Sequence, residues 1–223
     1  LIIEQGNTSS KVAVYKNGHI EASFVYKQFG VSVVAALFEK YAFTQGILST
    51  VIDTDDELIA YLKNKLQRFV FLDEHVALPI KVEYGTPKTL GKDRLAAVVG
   101  AITYEVIEAP GIFLGGNISP GMTTRFRALN HFTKKLPLVT EEDDIPLIGR
   151  STETAIQAGV VNGIVYEMDG YIDELKVKYP NLLVFLTGGH SFYFERRLKN
   201  SIFADINLVL TGLNRILEYN VEN

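Results

Sequence analysis

The chain contains no cysteine and no tryptophan. Without cysteine there is no disulfide framework, no zinc-thiolate site and no thiol nucleophile. Positive charge is also short. Lys and Arg total 22 against 26 Asp and Glu, a net charge of -4, and the basic residues come only in short clusters such as Lys134-Lys135 and Arg196-Arg197. That leaves no field for holding a phosphate backbone, so nucleic acid is not an expected partner. No apolar run approaches the roughly 18 residues that a membrane span requires, and the first residues carry no basic region followed by an apolar stretch and a small-residue cleavage site. The expectation is a cytoplasmic, unsecreted protein with no membrane partner. Histidine is sparse, and His19, His75, His131 and His190 lack metal-ligand spacing. The acidic run Glu141-Glu142-Asp143-Asp144 reads as a solvated loop rather than a calcium site.

What is present is enough apolar material for a large core: 47% of 223 residues are hydrophobic, which suits two domains of roughly a hundred residues each. Periodicity and punctuation order them. Ile2-Ile3 leads into a Gly-Asn-Thr turn, Lys11 to Lys16 alternates as a strand, Asn17-Gly18 supplies a type I′ turn, and His19 to Val25 returns antiparallel. Val33, Val34, Leu37, Phe38 and Tyr41 recur at helical spacing up to Gly46, followed by a short strand, Ile47 to Ile52. Thr54-Asp55-Asp56-Glu57 is a capping-box pattern opening a helix with Leu58, Ile59, Leu62 and Leu66 on one face, before the strand Phe69 to Leu72. A helix over Leu90 to Ala101 crowds Gly91, Lys92, Asp93 and Arg94 at its N-terminal end. It runs straight into the strand Ile102 to Ile107, without the two to six residues or so that such a reversal needs.

The later part reads as a glycine-rich segment, Gly111 to Gly121, too rich in glycine for an ordinary strand. A long helix follows from Thr152 to about Lys178, interrupted near Gly159, Gly163 and Gly170. Then come a strand Leu182 to Leu186 feeding Thr187-Gly188-Gly189-His190, and a last helix, Gly212 to Tyr219. The fold class is α/β.

Three stretches carry chemistry. In Glu4-x-Gly6-Asn7-Thr8-x-x-Lys11, the turn amides with Asn7 and Thr8 can donate to phosphate oxygens, Lys11 can neutralise charge, and Glu4 can hold Mg²⁺ or its water. An Asx-type turn beside a solvated lysine accounts for the same residues. In Tyr84-Gly85-Thr86-Pro87-x-x-Leu90-Gly91-Lys92-Asp93-Arg94, Asp93 can take a proton from a hydroxyl while Arg94 binds an anion. Alternatively, Asp93 only complements a helix dipole. In Thr187-Gly188-Gly189 the main chain can lie flat against a nucleotide, or simply turn.

Taken in this order the three stretches resemble the type III pantothenate kinases of the actin, Hsp70 and sugar-kinase superfamily. The likeness also takes in Gly115 to Gly121 and Ser151-Thr152-x-x-Ala155-Ile156. It implies two ribonuclease-H-like domains, expected at 1–101 and 102–223, each a mixed sheet flanked by helices. It also implies ATP-dependent phosphorylation of pantothenate to 4′-phosphopantothenate, the first step of coenzyme A synthesis.

By resemblance Asp93 is the general base, and Tyr84, Gly91, Lys92, Asp93, Arg94 and Thr152 hold pantothenate. Glu4, Gln5, Gly6, Asn7, Thr8, Ser9, Ser10 and Lys11 wrap the ATP phosphates with Thr103, Gly188 and Gly189 lie by adenosine, and Glu4 is the metal ligand. Mg²⁺, a monovalent cation (K⁺ or NH₄⁺) and a homodimer are implied; the interface candidate is Gly115 to Gly121 with its apolar neighbours Ile112, Phe113, Leu114 and Met122.

The chain departs from the family twice. Glu4 stands where the family has Asp. Of the family's second phosphate loop, of form Asp-x-Gly-Thr-Ala-x-Thr, only the tail Ala101-Ile102-Thr103-Tyr104 is recognisable. The expectation is that a connecting loop, a strand and the start of that motif belong to the complete protein at this junction. A sugar kinase, or a catalytically inactive relative that binds a ligand or partner, shares the same scaffold.

Overall fold

The structure is a computed structural model. It describes all residues except 54, 74, 84, 86–100, 109, 110 and 223, and for 101–104 it describes the backbone alone. The described chain falls into two compact units. One comprises Leu1–Val99, Thr103–Asn117 and Asn207–Asn223; the other Gly100–Ile102 and Ile118–Ile206. Thr103–Asn117 and the chain's last helix group with the N-terminal part in this division.

The first unit is built on a five-stranded sheet of order β3-β2-β1-β4-β5. Its strands are β1 (Ile2–Gln5), β2 (Ser10–Lys16), β3 (His19–Tyr26), β4 (Gln45–Thr50) and β5 (Arg68–Phe71). The hairpin β2–β3 turns at Asn17 and Gly18, both at positive φ (52° and 78°), as the Asn-Gly pair requires. β1 is the hinge of the topology: antiparallel to β2, parallel to β4.

Helices α1 (Val31–Lys40) and α2 (Asp56–Lys65) cover one face, where Ile3, Val12 and Leu48 meet Val34, Leu37, Leu58 and Leu62. The C-terminal helix α6 (Leu208–Glu222) covers the other, packing Leu210, Leu213 and Ile216 on Ile2, Ala13, Ile47 and Leu72. The result is three layers about one sheet.

Gly46 is not a helix stop. α1 ends at Lys40, and Gly46 lies in β4, where an added Cβ would stand 2.7 Å from Leu66 Cδ1 and 3.1 Å from Leu1 O. The cap of α2 is Asp55, whose side chain accepts from Leu58 N; Thr54 lies outside the described residues.

β6 (Lys81–Val82), β7 (Ala101–Glu108) and β8 (Ile112–Pro120) form a second sheet of order β6-β8-β7. The glycine-rich segment is thus a strand after all. Gly111 and Gly115 take up the unusual backbone, at φ 121° and 115°. Phe113 and Met122 are buried, so they are not available as an interface.

In the second unit, α3 (Met122–Phe132), which the sequence reading did not anticipate, packs against α4 (Thr152–Lys178). α4 is one unbroken helix despite its three glycines. Ser151 caps it in a reciprocal box with Thr154, while Ile156, Val160, Val161 and Ile164 hold its buried face. β9 (Phe185–Leu186), α5 (Ser191–Glu195) and β10 (Phe203–Ala204) complete the unit, with β9 and β10 parallel.

Candidate active site

β1 carries Glu4 and Gln5 to its carboxyl end, and pairing register decides what stands beside them. Glu4 lies opposite Lys11 on β2 and Ser49 on β4; Gln5 lies opposite Ser10 and Thr50. All of these except Lys11 are buried. A cluster of buried polar side chains at the carboxyl ends of parallel strands is costly as plain core, and in α/β sheets that end is where ligands sit. Beyond it the chain turns tightly: Gly6 N–H donates to Ser9 O at 3.0 Å, with Asn7 and Thr8 exposed at the tip.

Glu4 is 6% exposed. Its Oε2 has no hydrogen-bond partner and stands 4.0 Å from Lys11 Nζ. Burial raises the Glu4 pKa above the ordinary carboxylate value, and the Lys11 charge offsets only part of that rise. An orphaned, desolvated carboxylate oxygen beside an ammonium and an exposed amide turn suits a cation bridging to an anionic ligand. No cluster of three or more acidic or histidine ligands occurs among the described residues, so Glu4 would be a single protein ligand to an ion that otherwise holds water and phosphate.

The second unit holds the glycine turn. Gly188 sits at φ +100°, a conformation that side chains rarely tolerate, and no atom lies within 4 Å of where a Cβ would stand on Gly188 or Gly189. Thr187 Oγ1 and Ser191 Oγ flank the turn, buried and without partners. His190 Nε2 is 3.4 Å from Glu141 Oε1. The acidic run is not merely solvated: Arg197, stacked 3.6 Å from the Tyr193 ring centroid, donates to Asp143 O at 2.6 Å, and Tyr193 OH donates to Glu142 O at 2.6 Å.

Thr152 opens α4 on the surface. It lines an apolar groove of about 760 Å³ with Ala128, Leu129, Leu136, Ile156 and Val160. Arg125 closes the groove, held by Ser119 Oγ, Pro120 O and Glu167 Oε2 at 2.8, 2.7 and 2.5 Å.

The structure therefore brings residues 4 to 11 into one site and sets Gly188 and Gly189 beside orphaned hydroxyls. Tyr84, Gly91, Lys92, Asp93 and Arg94 lie outside the described residues, and Thr103 is described only as part of β7. Sequence reading missed Ser49, Thr50 and Ser191, and took Thr187 only as part of the glycine turn. The only signal for Ser49 and Thr50 was a polar pair ending an otherwise apolar strand.

These features define an α/β protein, its mixed sheet flanked by helices. In the same class, a solved Campylobacter jejuni protein assigned to the Baf family of transcriptional activators is 21% identical. It superposes with a TM-score of 0.60 over 100% of this chain and 99% of its own. The family model for type III pantothenate kinase matches residues 1–104 and 99–174.

Type III pantothenate kinases from Phocaeicola vulgatus and Bacteroides fragilis are 44% and 46% identical over alignments of 237 and 238 residues. Each alignment covers 99% of this chain and 98% of the relative. A Porphyromonas gingivalis relative of the same name is 41% identical over 242 residues. The chain belongs to the type III pantothenate kinase family.

Proposed function

We propose that this protein transfers the γ-phosphoryl group of ATP to the terminal hydroxyl of pantothenate, giving 4′-phosphopantothenate and ADP for coenzyme A synthesis. The observation that carries the reading is family membership along nearly the whole chain at 44–46% identity. In this reading Asp93 accepts the hydroxyl proton as the phosphoryl group arrives, and Arg94, Tyr84, Gly91, Lys92 and Thr152 hold pantothenate. Residues 4 to 11 and Thr103 contact the ATP phosphates, and Gly188 and Gly189 admit the adenosine. Phosphoryl transfer is mostly positioning and charge neutralisation, and the buried polar cluster around Glu4 supports that role. Mg²⁺ bound through Glu4 would draw charge off the phosphates, and a monovalent cation, K⁺ or NH₄⁺, would assist. The protein works in the cytoplasm as a homodimer, for which the apolar groove beside Thr152 offers a surface.

The test is ADP release with Mg-ATP and pantothenate, with and without K⁺, using glucose and glycerol as control acceptors. Pantothenate-dependent release is expected. Release with glucose but not pantothenate would mean a sugar kinase. One observation favours a catalytically inactive relative: the alignments to relatives are longer than this chain by at least 14 positions. Saturable ATP binding without release with any acceptor would establish that alternative.

A further inference from the structure

Asparagine is a thermolabile residue. Its side-chain amide is most open to attack by the backbone where glycine follows, because no Cβ then blocks the approach. The chain has two such pairs, Asn17-Gly18 and Asn162-Gly163, and they stand in opposite surroundings.

Asn17 and Gly18 form the exposed tip of the β2–β3 hairpin, at φ 52° and 78°. Lys16 and His19 close the turn, and the Gly18 N–H donates to no backbone carbonyl among the described residues. No atom lies within 4 Å of where a Cβ on Gly18 would stand. The Asn17 side chain makes no hydrogen bond to a described residue. A rotation of ψ at Asn17 therefore disturbs the closing pair and little else.

Asn162 is held. It lies inside α4, where its Nδ2 donates to Pro146 O at 3.0 Å, and the Gly163 amide belongs to the i→i−4 ladder of an unbroken helix. The rotation that would bring that amide to the Asn162 Cγ has to open the helix locally.

The hairpin has a second feature. Its pairing is regular from Ser10 with Tyr26 to Val14 with Ala22, then shifts, so that Tyr15 faces Ile20 and Lys16 faces His19. Such a bulge interrupts the ladder and leaves a residue unpaired. Only the segment Tyr15 to Ile20 lies beyond it. Tyr15 ties that segment to α6, its OH donating to Thr211 Oγ1 at 3.2 Å.

We propose that Asn17 is a site of spontaneous modification, passing through a succinimide to aspartate and isoaspartate, and that the isoaspartyl form loosens the hairpin only beyond the bulge. The Gly18 nitrogen attacks Asn17 Cγ; the N–Cγ bond forms, the Cγ–Nδ2 bond breaks, and the Gly18 proton leaves with Nδ2 as ammonia. Water then opens the ring, with nothing oxidised or reduced. Opening at Cγ gives aspartate, and Asp-Gly suits the same turn. Opening at the main-chain carbonyl carbon routes the backbone through Cβ, and the extra chain atom spoils the match between a two-residue turn and the twist of its strands. Ser10 and Lys11 lie on the far side of the bulge, so the end of β2 beside Glu4 keeps its pairing. None of this depends on the kinase reading.

The experiment incubates the full chain in warm, mildly alkaline buffer, and in parallel in denaturing urea. Peptides are mapped after cleavage at glutamate, which puts Asn17 between Glu4 and Glu21 and Asn162 between Glu153 and Glu167. In the folded chain Asn17 is expected to gain the deamidation mass about tenfold or more faster than Asn162, which reacts only from locally opened helix. The product is expected to divide between aspartyl and isoaspartyl peptides. In urea the two rates are expected to converge. Asn17→Gly, which keeps a glycine turn, is expected to abolish the gain in its peptide. Hydrogen exchange on the isoaspartyl fraction is expected to quicken over Tyr15 to Ile20 and to stay unchanged over Ser23 to Tyr26. Equal rates at the two sites in the folded chain, or an Asn17 that reacts in urea and not in the folded chain, would overturn the site. Quickened exchange reaching Ser23 to Tyr26 would overturn the confinement.

Discussion

At the scale of single residues, the proposed reaction turns on Asp93 as its base, and Glu4 stands as a buried carboxylate. Asp93→Asn is expected to leave ATP and pantothenate binding in place while turnover falls by about 10²–10⁴-fold, the usual reach of a general base; steady-state kinetics beside calorimetric binding would check it. Glu4 makes a prediction about stability. Its folded-state pKa is raised by burial, so folding favours the protonated form. That contribution is fully present below the ordinary carboxylate pKa of about 4.3 and is lost as pH rises through the raised value. Denaturation midpoints should decline across that window in the parent chain, and Glu4→Gln should flatten the decline.

The turn around Gly6 and Asn7 was legible because its donors and its lysine lie within a few residues of one another. Ser49 and Thr50 were not: their place beside Glu4 and Gln5 depends on the register of a parallel pairing forty-odd residues away in sequence, which no local pattern encodes.

Elements were legible wherever the period ran unbroken and a turn marked its end. The β2–β3 hairpin and the buried faces of α1 and α2 follow directly from alternation, helical spacing and the Asn17-Gly18 turn. Glycine misled twice. It suggested breaks in α4, whose apolar face carries the helix through all three, and it argued against a strand at β8, where Gly115 absorbs the positive φ, as Gly111 does in the turn before it.

α4 starts at a reciprocal cap, so Ser151→Ala should destabilise the protein by about 1 kcal/mol, read as a lower midpoint in urea. Restoring a hydroxyl with Ser151→Thr should recover most of it.

For the molecule as a whole, the first unit is closed by the helix furthest along the chain. Leu213 is fully buried among Ile2, Ala13 and Ile47, and Leu213→Ala is expected to cost about 2–5 kcal/mol, measured by denaturant unfolding of the intact protein. Truncation before Asn207 would uncover that sheet face altogether. The shortened chain is expected in the insoluble fraction on expression, where the full chain stays in solution.

The same closure has a bearing on synthesis. Ile2 and Ala13 leave the ribosome early, but the residues that cover them are translated only after about 10–40 s at ordinary elongation rates of about 5–20 residues per second. Through that interval the nascent sheet carries a bare aliphatic face, a natural client for holding chaperones. The cell's yield of this enzyme is therefore set partly by how well that waiting surface is guarded.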